Sequence, residues 1–207
     1  MSLVDRSLVP LGKPRGERAD AARNREHLLS TARAMIAEHG VEKVTMDGLA
    51  ERAGLGKGTV FRRFGTRAGI FRALLDDDER RFQEQVLSGP PPLGPGADPA
   101  QRLIAYGRAR VPFLLDHLAI ARAAMARNGG FPSDAVSLTR LHFRVLLGEA
   151  RVESPSLDGL ALQLTAALEG PPLLYLNLPE LSAPPGPEVG RSLVDSWQAL
   201  IERVVSR

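Results

Sequence analysis

The sequence contains no cysteine and a single tryptophan, and it has no apolar run long enough to cross a membrane as a helix. The absence of cysteine excludes disulfide bonds, thiolate chemistry and zinc sites with cysteine ligands. Residues 1–20 mix charged residues with proline and glycine, and they lack the apolar segment of a signal peptide. We therefore expect a cytoplasmic protein without a membrane partner.

The sequence also lacks the motifs of common enzyme classes. It has no G-x-S-x-G, P-loop or dinucleotide fingerprint, and its four histidines do not have the spacing of metal ligands. We therefore expect no enzyme, no metal and no cofactor. The acidic and basic run at residues 76–81 raises the alternative of a cation site. Its i,i+4 pairs, Asp76 with Arg80 and Asp77 with Arg81, favour a solvated, salt-bridged helix face instead.

The charge is unevenly distributed along a chain of ordinary globular composition. Hydrophobic residues make up 43% and charged residues 25%, which is sufficient for a buried core. Residues 1–67 carry 13 basic and 8 acidic side chains, whereas the remainder carries 14 and 16. A basic N-terminal third on a nearly neutral body suggests that this third binds a polyanion.

The periodicity of apolar residues is helical throughout, with no strand alternation, and predicts an all-α fold of about nine helices. Helices are predicted at about 23–39, 45–53, 57–64, 66–87, 99–126 (kinked or split at Pro112), 134–150, 156–178 (interrupted at 170–172) and 188–205. The Pro/Gly-rich stretch at 88–98 is the clearest internal joint. Three parts are expected: a flexible arm at 1–20, a basic domain at 21–67 and a larger domain at 68–207.

Residues 45–64 form the most informative motif, two short helices joined by a tight turn at Gly54. Thr45 is a good N-cap for the first helix, and apolar residues lock the pair together. The second helix presents Lys57, Thr59, Arg62 and Arg63 outward, and Gly58 permits close approach. This arrangement suits a recognition helix in a DNA groove. The alternative is an ordinary helical hairpin with a solvated basic face.

The stretch A-G-L-G-K-G-T-V-F-R-R-F, followed by G-T-R, resembles the signature of the TetR family, A-G-V-S-x-G-x-x-Y-x-H-F and a basic residue. A helix ending in His39-Gly40 and then V-x-x-V-T also fits that frame, and the resemblance covers about residues 23–75. It implies an N-terminal three-helix DNA-binding head with a helix-turn-helix, and a C-terminal helical domain for ligand binding and dimerisation.

The resemblance also implies roles for individual residues of the head. Thr45, Arg63 and Arg67 correspond to phosphate contacts, and base contacts are expected from Lys57, Gly58, Thr59 and Arg62. Gly56 replaces the usual N-cap serine and offers no hydroxyl to a phosphate. Phe61 replaces the usual tyrosine, which leaves an apolar contact, such as one to a thymine methyl group.

A ligand pocket is expected in the C-terminal domain. Polar residues recur on an otherwise apolar face of the helix after residue 99, and such a face can line a cavity. The candidates are Tyr106, Arg110, Phe113, His117, His142 and Phe143. The alternative is that the polar members lie at the edge of the core and reach solvent.

A dimer interface is expected from the last two helices. Their apolar stripes resemble the family's four-helix bundle, built from two helices of each subunit. The candidates are Leu164, Leu168, Leu193, Trp197, Leu200 and Val204. The alternative for either helix alone is core packing within one subunit.

These observations together predict a homodimeric transcription repressor that binds double-stranded, palindromic operator DNA on the nucleoid. A small apolar or amphipathic effector would release it by favouring a state that no longer fits the operator. The alternative is an architectural DNA-binding protein without ligand control.

Overall fold

The computed structural model describes residues 15–125, 133–177 and 185–206. Within these residues the regular structure is entirely helical, so the predicted all-α fold is confirmed. The described helices are α1 (Arg15–His39), a 3-10 helix (Val41–Lys43), α2 (Met46–Arg52), α3 (Lys57–Phe64), α4 (Arg67–Ser88), α5 (Pro99–Asp116), α6 (Leu118–Met125), α7 (Ser133–Glu149), α8 (Leu157–Asn177) and α9 (Pro187–Val205). The chain divides into two compact units, an N-terminal unit that ends at Arg67 and a C-terminal unit that begins at Ala68.

The N-terminal unit packs α1, α2 and α3 around a small apolar core. Its fully buried side chains come from the three α-helices and from the residue after the 3-10 helix, and they include Leu28, Ala32, Val44, Leu49 and Val60. Gly40 (φ 80°) and Gly54 (φ 64°) hold left-handed conformations that favour glycine where helices end. The short helices are therefore separated by turns that the sequence itself specifies.

Helix α1 begins at Arg15, inside the segment that the sequence analysis assigned to a flexible arm. The stretch that precedes Arg23 carries no apolar period, so periodicity could not signal a helix there. Its alanine and arginine residues nevertheless have high intrinsic helix propensity. Residues 15–20, predicted as the end of the flexible arm, are therefore part of a helix.

The C-terminal unit is built around α5. Helix α9 packs along α5, while α7 pairs with α8 and both also contact α5. The core combines aromatic and aliphatic side chains of these helices and of α4, namely Phe82, Val86, Leu103, Tyr106, Phe143, Leu146, Leu147, Leu164, Leu168, Trp197 and Ile201.

Proline positions in this unit differ from the sequence-based expectation. Pro112 lies inside α5, which continues to Asp116, and the break before α6 comes at His117. Pro171 and Pro172 lie inside α8, which continues to Asn177 without the predicted interruption. Although proline removes one backbone hydrogen bond, packing against neighbouring helices can hold the chain in helical geometry across it.

The acidic run on α4 keeps part of the solvated, salt-bridged face that its spacing favoured, since the predicted pair of Asp77 with Arg81 forms and Asp76, Arg80 and Arg81 are exposed. Asp77 is buried and accepts hydrogen bonds from both Arg80 (2.9 Å) and Arg81 (3.0 Å). Asp78 and Glu79 point to other helices of the C-terminal unit, where they meet His117 and Arg110. Spacing within one helix could not reveal these partners, because they come from distant parts of the sequence.

Candidate nucleic-acid interface

The α2–turn–α3 segment is held by local hydrogen bonds. The Thr45 hydroxyl caps α2 by accepting from the Gly48 amide at 3.0 Å. Leu55 donates its amide to the Ala50 carbonyl at 3.0 Å, which closes the turn after α2. Gly56 begins α3 as its N-cap, and no side chain completes that cap. The amide groups at the start of α3 therefore remain available to an acceptor outside the chain.

Helix α3 is sharply two-sided. Val60 and Phe64 are buried in the unit, whereas Lys57, Phe61, Arg62 and Arg63 are exposed. The remaining predicted members of this face are Gly56 and Gly58, which are exposed, and Thr59, which is half-buried. A Cβ atom built on Gly58 would meet no atom within 4 Å, so the helix surface there is open. The exposed face thus combines cationic and hydroxyl donors with one apolar ring, Phe61, that is 50% exposed.

The predicted phosphate contacts already have partners in the free protein. Arg63 donates to the carbonyl of Ala21 on α1. Thr45 is exposed, and its hydroxyl can donate outward while its oxygen caps α2.

Arg67 is half-buried and plays a structural part that the sequence did not predict. Its guanidinium donates from Nε to the Val44 carbonyl at 2.7 Å and from a terminal nitrogen to the Val41 carbonyl at 2.8 Å. It also lies 3.5 Å from the exposed carboxylate of Glu42. Arg67 therefore ties the first turn of α4 to the segment that precedes Thr45, and the phosphate role implied by the resemblance stays a prediction.

Two further residues of this unit were missed by sequence reasoning. A ring nitrogen of His27 on α1 lies 3.0 Å from the carbonyl of Ala53 at the end of α2, which fixes α2 against α1. Asp47, in the first turn of α2, forms an ion pair with Lys57 of α3 at 3.0 Å. The N-terminal position of Asp47 in a helix is visible in the sequence, but its partner is not.

The six residues predicted to line a pocket lie together in the C-terminal unit. Their rings form two groups, in which Tyr106 contacts His142 and Phe143 while Phe113 contacts His117. Phe82 of α4 joins the groups, with centroids 5.4 Å from Tyr106 and 5.2 Å from Phe113. We call the six predicted residues and Phe82 the aromatic cluster.

Arg110 is the charged centre of the aromatic cluster. It is almost fully buried, and its guanidinium binds Glu169 of α8 at 2.9 Å and Glu79 of α4 at 2.5 Å. Burial by itself lowers the pKa of Arg110, but the two carboxylates raise it further than burial lowers it. The guanidinium also lies 5.0 Å from the Phe113 ring centroid. Arg110 is therefore a permanent cation that joins three helices.

The other titratable groups of the cluster are shifted by burial and by specific partners. Burial raises the pKa of Tyr106 to about 12, and its hydroxyl lies 2.8 Å from that of Thr139. Burial, assisted by the charge of Arg102, lowers the pKa of His142 to about 4. Burial also lowers the pKa of His117, but its 3.1 Å hydrogen bond to Asp78 raises that pKa above its usual value. His142 is accordingly neutral near pH 7.

A groove of about 560 Å³ opens elsewhere on the C-terminal unit, where the loop between α7 and α8 meets the end of α9. Its lining includes Ser154, Leu160 and Arg203, and none of the six predicted pocket residues. The predicted residues instead contact one another and their charged partners. The ligand pocket therefore stays a prediction.

The residues predicted for the dimer interface are largely covered by their own chain. Leu164, Leu168 and Trp197 are 3%, 3% and 4% exposed, which leaves little of their surface for a partner. Leu193 and Val204 pack partly against the same core, and Leu200 is 36% exposed. In the apolar stripe of α9, Trp197 thus packs into the core with α5, whereas Leu200 stays exposed. The large apolar side chains that remain exposed on the neighbouring helices are Leu138, Leu141 and Val145 on α7 and Leu162 and Leu174 on α8.

Two other kinds of site are absent from the described residues. No group of three or more acidic, histidine or cysteine side chains among them is arranged to hold a metal ion. No helix among them has the length and apolar character needed to span a membrane.

The comparisons with known proteins concern the same N-terminal segment. Residues 28–74 match the family model for bacterial regulatory proteins of the tetR family. The HTH-type transcriptional repressor AcnR of Corynebacterium glutamicum is 38% identical over 63 residues, which are 30% of this chain and 34% of AcnR. The probable acrEF/envCD operon repressor of Escherichia coli is 32% identical over 75 residues, or 35% of this chain and 34% of that protein. The matches thus span about a third of each relative's length.

Solved structures share the fold over nearly the whole chain. A TetR-family transcriptional regulator from Pectobacterium atrosepticum aligns with a TM-score of 0.68 at 21% identity, over 90% of this chain and 94% of that one. The structure of a SmeT–triclosan complex aligns with a TM-score of 0.54 at 20% identity, over 86% and 91% of the two chains. At such identities the likeness concerns the fold alone.

The two-sided α3 and the α2–turn–α3 segment together form a helix-turn-helix. The family predicted from residues 23–75 is confirmed for this N-terminal segment, which is that of the TetR-family bacterial regulatory proteins.

Proposed function

We propose that the protein is a homodimeric repressor that binds a palindromic operator and is released by a small apolar or amphipathic effector. The observation that carries the proposal is the geometry of α3. Its apolar side is locked to α1 and α2, and its exposed side presents Lys57, Thr59 and Arg62 around the open surface at Gly58. A helix of this kind enters the major groove with its first residues against base edges.

Within this proposal the basic residues divide into two groups. Lys57 and Arg62 read base edges, since lysine and arginine donors match the acceptors of guanine. Thr45 and Arg63 contact phosphates, which orient the head without reading sequence. Arg67 supports them because it fixes the backbone at Val44, directly before Thr45. Any phosphate contact by Arg67 would have to coexist with these two carbonyl bonds.

The dimer is proposed from DNA geometry and from the exposed apolar surface. A palindrome presents two half-sites one helical turn apart, which a two-fold dimer can engage simultaneously. The exposed Leu138, Leu141 and Val145 form an apolar stripe on α7, and Leu162 and Leu174 are exposed on α8, which packs against α7. Burial of these side chains against a second copy removes apolar area from water, whereas the buried Trp197 of α9 cannot supply that area.

The effector response is proposed to pass through α4. Arg67, the last residue of the N-terminal unit, opens α4, and further along the same helix Asp78 and Glu79 are bonded to His117 and Arg110. A ligand that separates the aromatic cluster must strain these bonds and so shift α4. Small shifts at such packed interfaces occur in discrete steps, and coupling of about 1–3 kcal/mol is typical. The SmeT–triclosan complex, which has the same fold, supports a small-molecule effector.

DNA binding without ligand control is the second candidate function. It is favoured by the bonds that Tyr106, Arg110 and His117 of the aromatic cluster make to Thr139, Glu169 and Asp78. Among the buried side-chain nitrogen and oxygen atoms of the described residues, only Nε2 of His142 and Nε of Arg102 have no hydrogen-bond partner. A preformed binding cavity would usually leave a few polar groups directed into open space.

Selection of bound duplexes from a random pool tests the proposed function. A palindromic consensus, with half-sites about one helical turn apart, is the expected result. Recovery of random sequences with a steep dependence on salt would favour the architectural alternative. Thermal-shift screening with apolar and amphipathic compounds then identifies effectors, and operator affinity is measured with each. A compound that stabilises the protein without lowering operator affinity would contradict the proposed switch.

A further inference from the structure

Asp47 and Lys57 form an ion pair across the helix-turn-helix, at the end of α3 that the proposed function places in the DNA groove. The Lys57 Nζ atom lies 3.0 Å from an Asp47 carboxylate oxygen, and the two side chains are 70% and 63% exposed. Lys57 is the first residue of α3, and Asp47 lies in the first turn of α2. The pair therefore presents a donor and an acceptor side by side at the beginning of the recognition helix.

Fold stability does not explain this pair. Exposed ion pairs contribute little to stability, because solvent screens the charges and two long side chains lose freedom. A carboxylate in the first turn of α2 does interact favourably with the helix dipole, but that role requires no contact with Lys57. The surface around α3 is proposed to approach phosphates. The negative charge of Asp47 beside Lys57 weakens DNA binding there unless the carboxylate itself contributes to recognition.

The spacing of the pair matches the major-groove edge of a G·C base pair. That edge presents the guanine O6 and N7 acceptors next to the N4 amino donor of cytosine. Guanine O6 and cytosine N4 are hydrogen-bonded to each other, so they lie about 2.9 Å apart, as N–H···O partners do. A lysine donor and a carboxylate acceptor 3.0 Å apart have the complementary order and nearly the same separation. No other base pair presents strong acceptors on one base and an amino donor on its partner in this order.

We propose that Asp47 is a specificity-determining residue, which reads one G·C pair in each half-site jointly with Lys57. Lys57 donates to guanine while the Asp47 carboxylate accepts from the cytosine amino group, and the ion pair orients both groups before DNA arrives. The inference rests on the proposed DNA binding through α3. On non-matching DNA the carboxylate faces acceptors or phosphates, so it weakens non-specific binding.

The test compares wild-type full-length protein with Asp47→Ala and Asp47→Asn in selection from a random duplex pool. The wild type should select an invariant G·C pair at one position of each half-site. In Asp47→Ala this position should lose at least about fivefold of its discrimination, as expected for one base contact. Affinity for a mixed-sequence duplex should rise, and the slope of its salt dependence should steepen by about one, because Lys57 becomes available to a phosphate.

Glu38→Gln is the matched control, because Glu38 forms an exposed ion pair with Arg52 in the same N-terminal unit. It removes the same charge and should leave the consensus unchanged. The inference would be overturned if Glu38→Gln and Asp47→Asn gained the same affinity for mixed-sequence DNA and selected the same consensus. The change in DNA affinity would then be an effect of net charge alone.

The failure of this inference is distinct from failure of the proposed function. A wild-type protein that selects no consensus contradicts sequence-specific DNA binding itself. A wild-type consensus that Asp47→Ala reproduces position for position contradicts only the role of Asp47. Thermal melts of each variant verify that the exposed substitutions leave the fold intact.

Discussion

The indole of Trp197 donates a hydrogen bond from Nε1 to the backbone carbonyl of Leu103 at 2.9 Å. The ring also stacks on Phe143, with centroids 5.4 Å apart, and lies directly against Gly107. A Cβ atom at Gly107 would stand 2.0 Å from the ring. Trp197 therefore joins α9 to α5 and α7 inside one chain, although its place in the apolar stripe of α9 suggested a dimer interface.

This relationship predicts that Trp197→Ala lowers the free energy of unfolding by about 3–5 kcal/mol, as large buried aromatic residues do. Gly107→Ala should cost about 1–3 kcal/mol by overpacking the same contact. Chemical denaturation monitored by circular dichroism measures both. Leu200→Ala, on the more exposed side of α9, is the control and should change stability far less. Unchanged stability of Trp197→Ala would contradict the packing of α9 on α5.

The exposed apolar side chains of α7 and α8 predict where a second copy binds. Leu141→Asp should give a folded monomer, because Leu141 is 53% exposed within the chain yet a charge in an apolar interface has no partner. Sedimentation velocity should show the shift in mass, and operator affinity should fall. Leu87→Asp places the same charge at a 69% exposed leucine of α4 and should leave the dimer intact. An intact Leu141→Asp dimer would move the interface to another surface.

Arg67 and Arg63 should differ in how they affect DNA binding. Arg67→Ala removes two bonds to the carbonyls of Val41 and Val44 and should destabilise the protein by about 1–3 kcal/mol, because the buried Val44 loses this donor to its carbonyl. Arg63→Ala, at an exposed site, should leave stability nearly unchanged and weaken binding to operator and mixed-sequence duplexes alike. Thermal melts and binding titrations at several salt concentrations separate the two effects. If Arg63→Ala kept its affinity for mixed-sequence duplexes but no longer preferred the operator, Arg63 would instead be a base contact.

Arg110, Glu169 and Glu79 form an ion trio, which predicts that substitution of Arg110 has a large effect on stability. Arg110→Met should destabilise the protein by about 3–5 kcal/mol, because it leaves the buried carboxylate of Glu169 without its cation. Arg108→Met on the same helix is the matched control, since Arg108 is exposed and bonds only to Gln198 among the contacts seen. Its effect should stay below about 1 kcal/mol. Equal effects of the two substitutions in urea titrations would contradict the anchoring role of the trio.

The two histidines of the aromatic cluster should respond to pH in opposite directions. The folded pKa of His117 is raised, so its stabilising contribution is complete below its unfolded pKa and is lost as the pH rises through the folded value. The folded pKa of His142 is lowered to about 4, so its contribution is lost as the pH falls from about 6.5 toward 4. The free energy of unfolding is measured from pH 4 to 9 for the wild type, His117→Asn and His142→Asn. The difference between the wild type and His117→Asn should shrink as the pH rises, and the difference between the wild type and His142→Asn should shrink as the pH falls. Parallel profiles for the two variants would contradict the assignment.

The sequence alone determined the elements whose signals are local. The Thr45 cap, the turn at Gly54 and the two-sided pattern of α3 involve residues within a few positions of one another, so the helix-turn-helix could be located without a structure. The all-α fold followed for the same reason, because helical periodicity repeats within each segment. The helical start at Arg15 was missed because propensity without an apolar period gives a weak signal.

Only the tertiary structure decided which side chains meet. Arg110 and Glu169 are 59 residues apart in sequence, Trp197 and Leu103 are 94 apart, and neither spacing marks them as partners. An apolar stripe shows that a helix face is buried, but the stripe is the same whether its own chain or a second copy covers it. Likewise, a carboxylate run such as 76–79 carries the same sequence signal in solvent and in a core. Long-range packing places the partners, and it assigned Trp197 of the α9 stripe to the core, Asp77 to burial, and Asp47 to the side of Lys57.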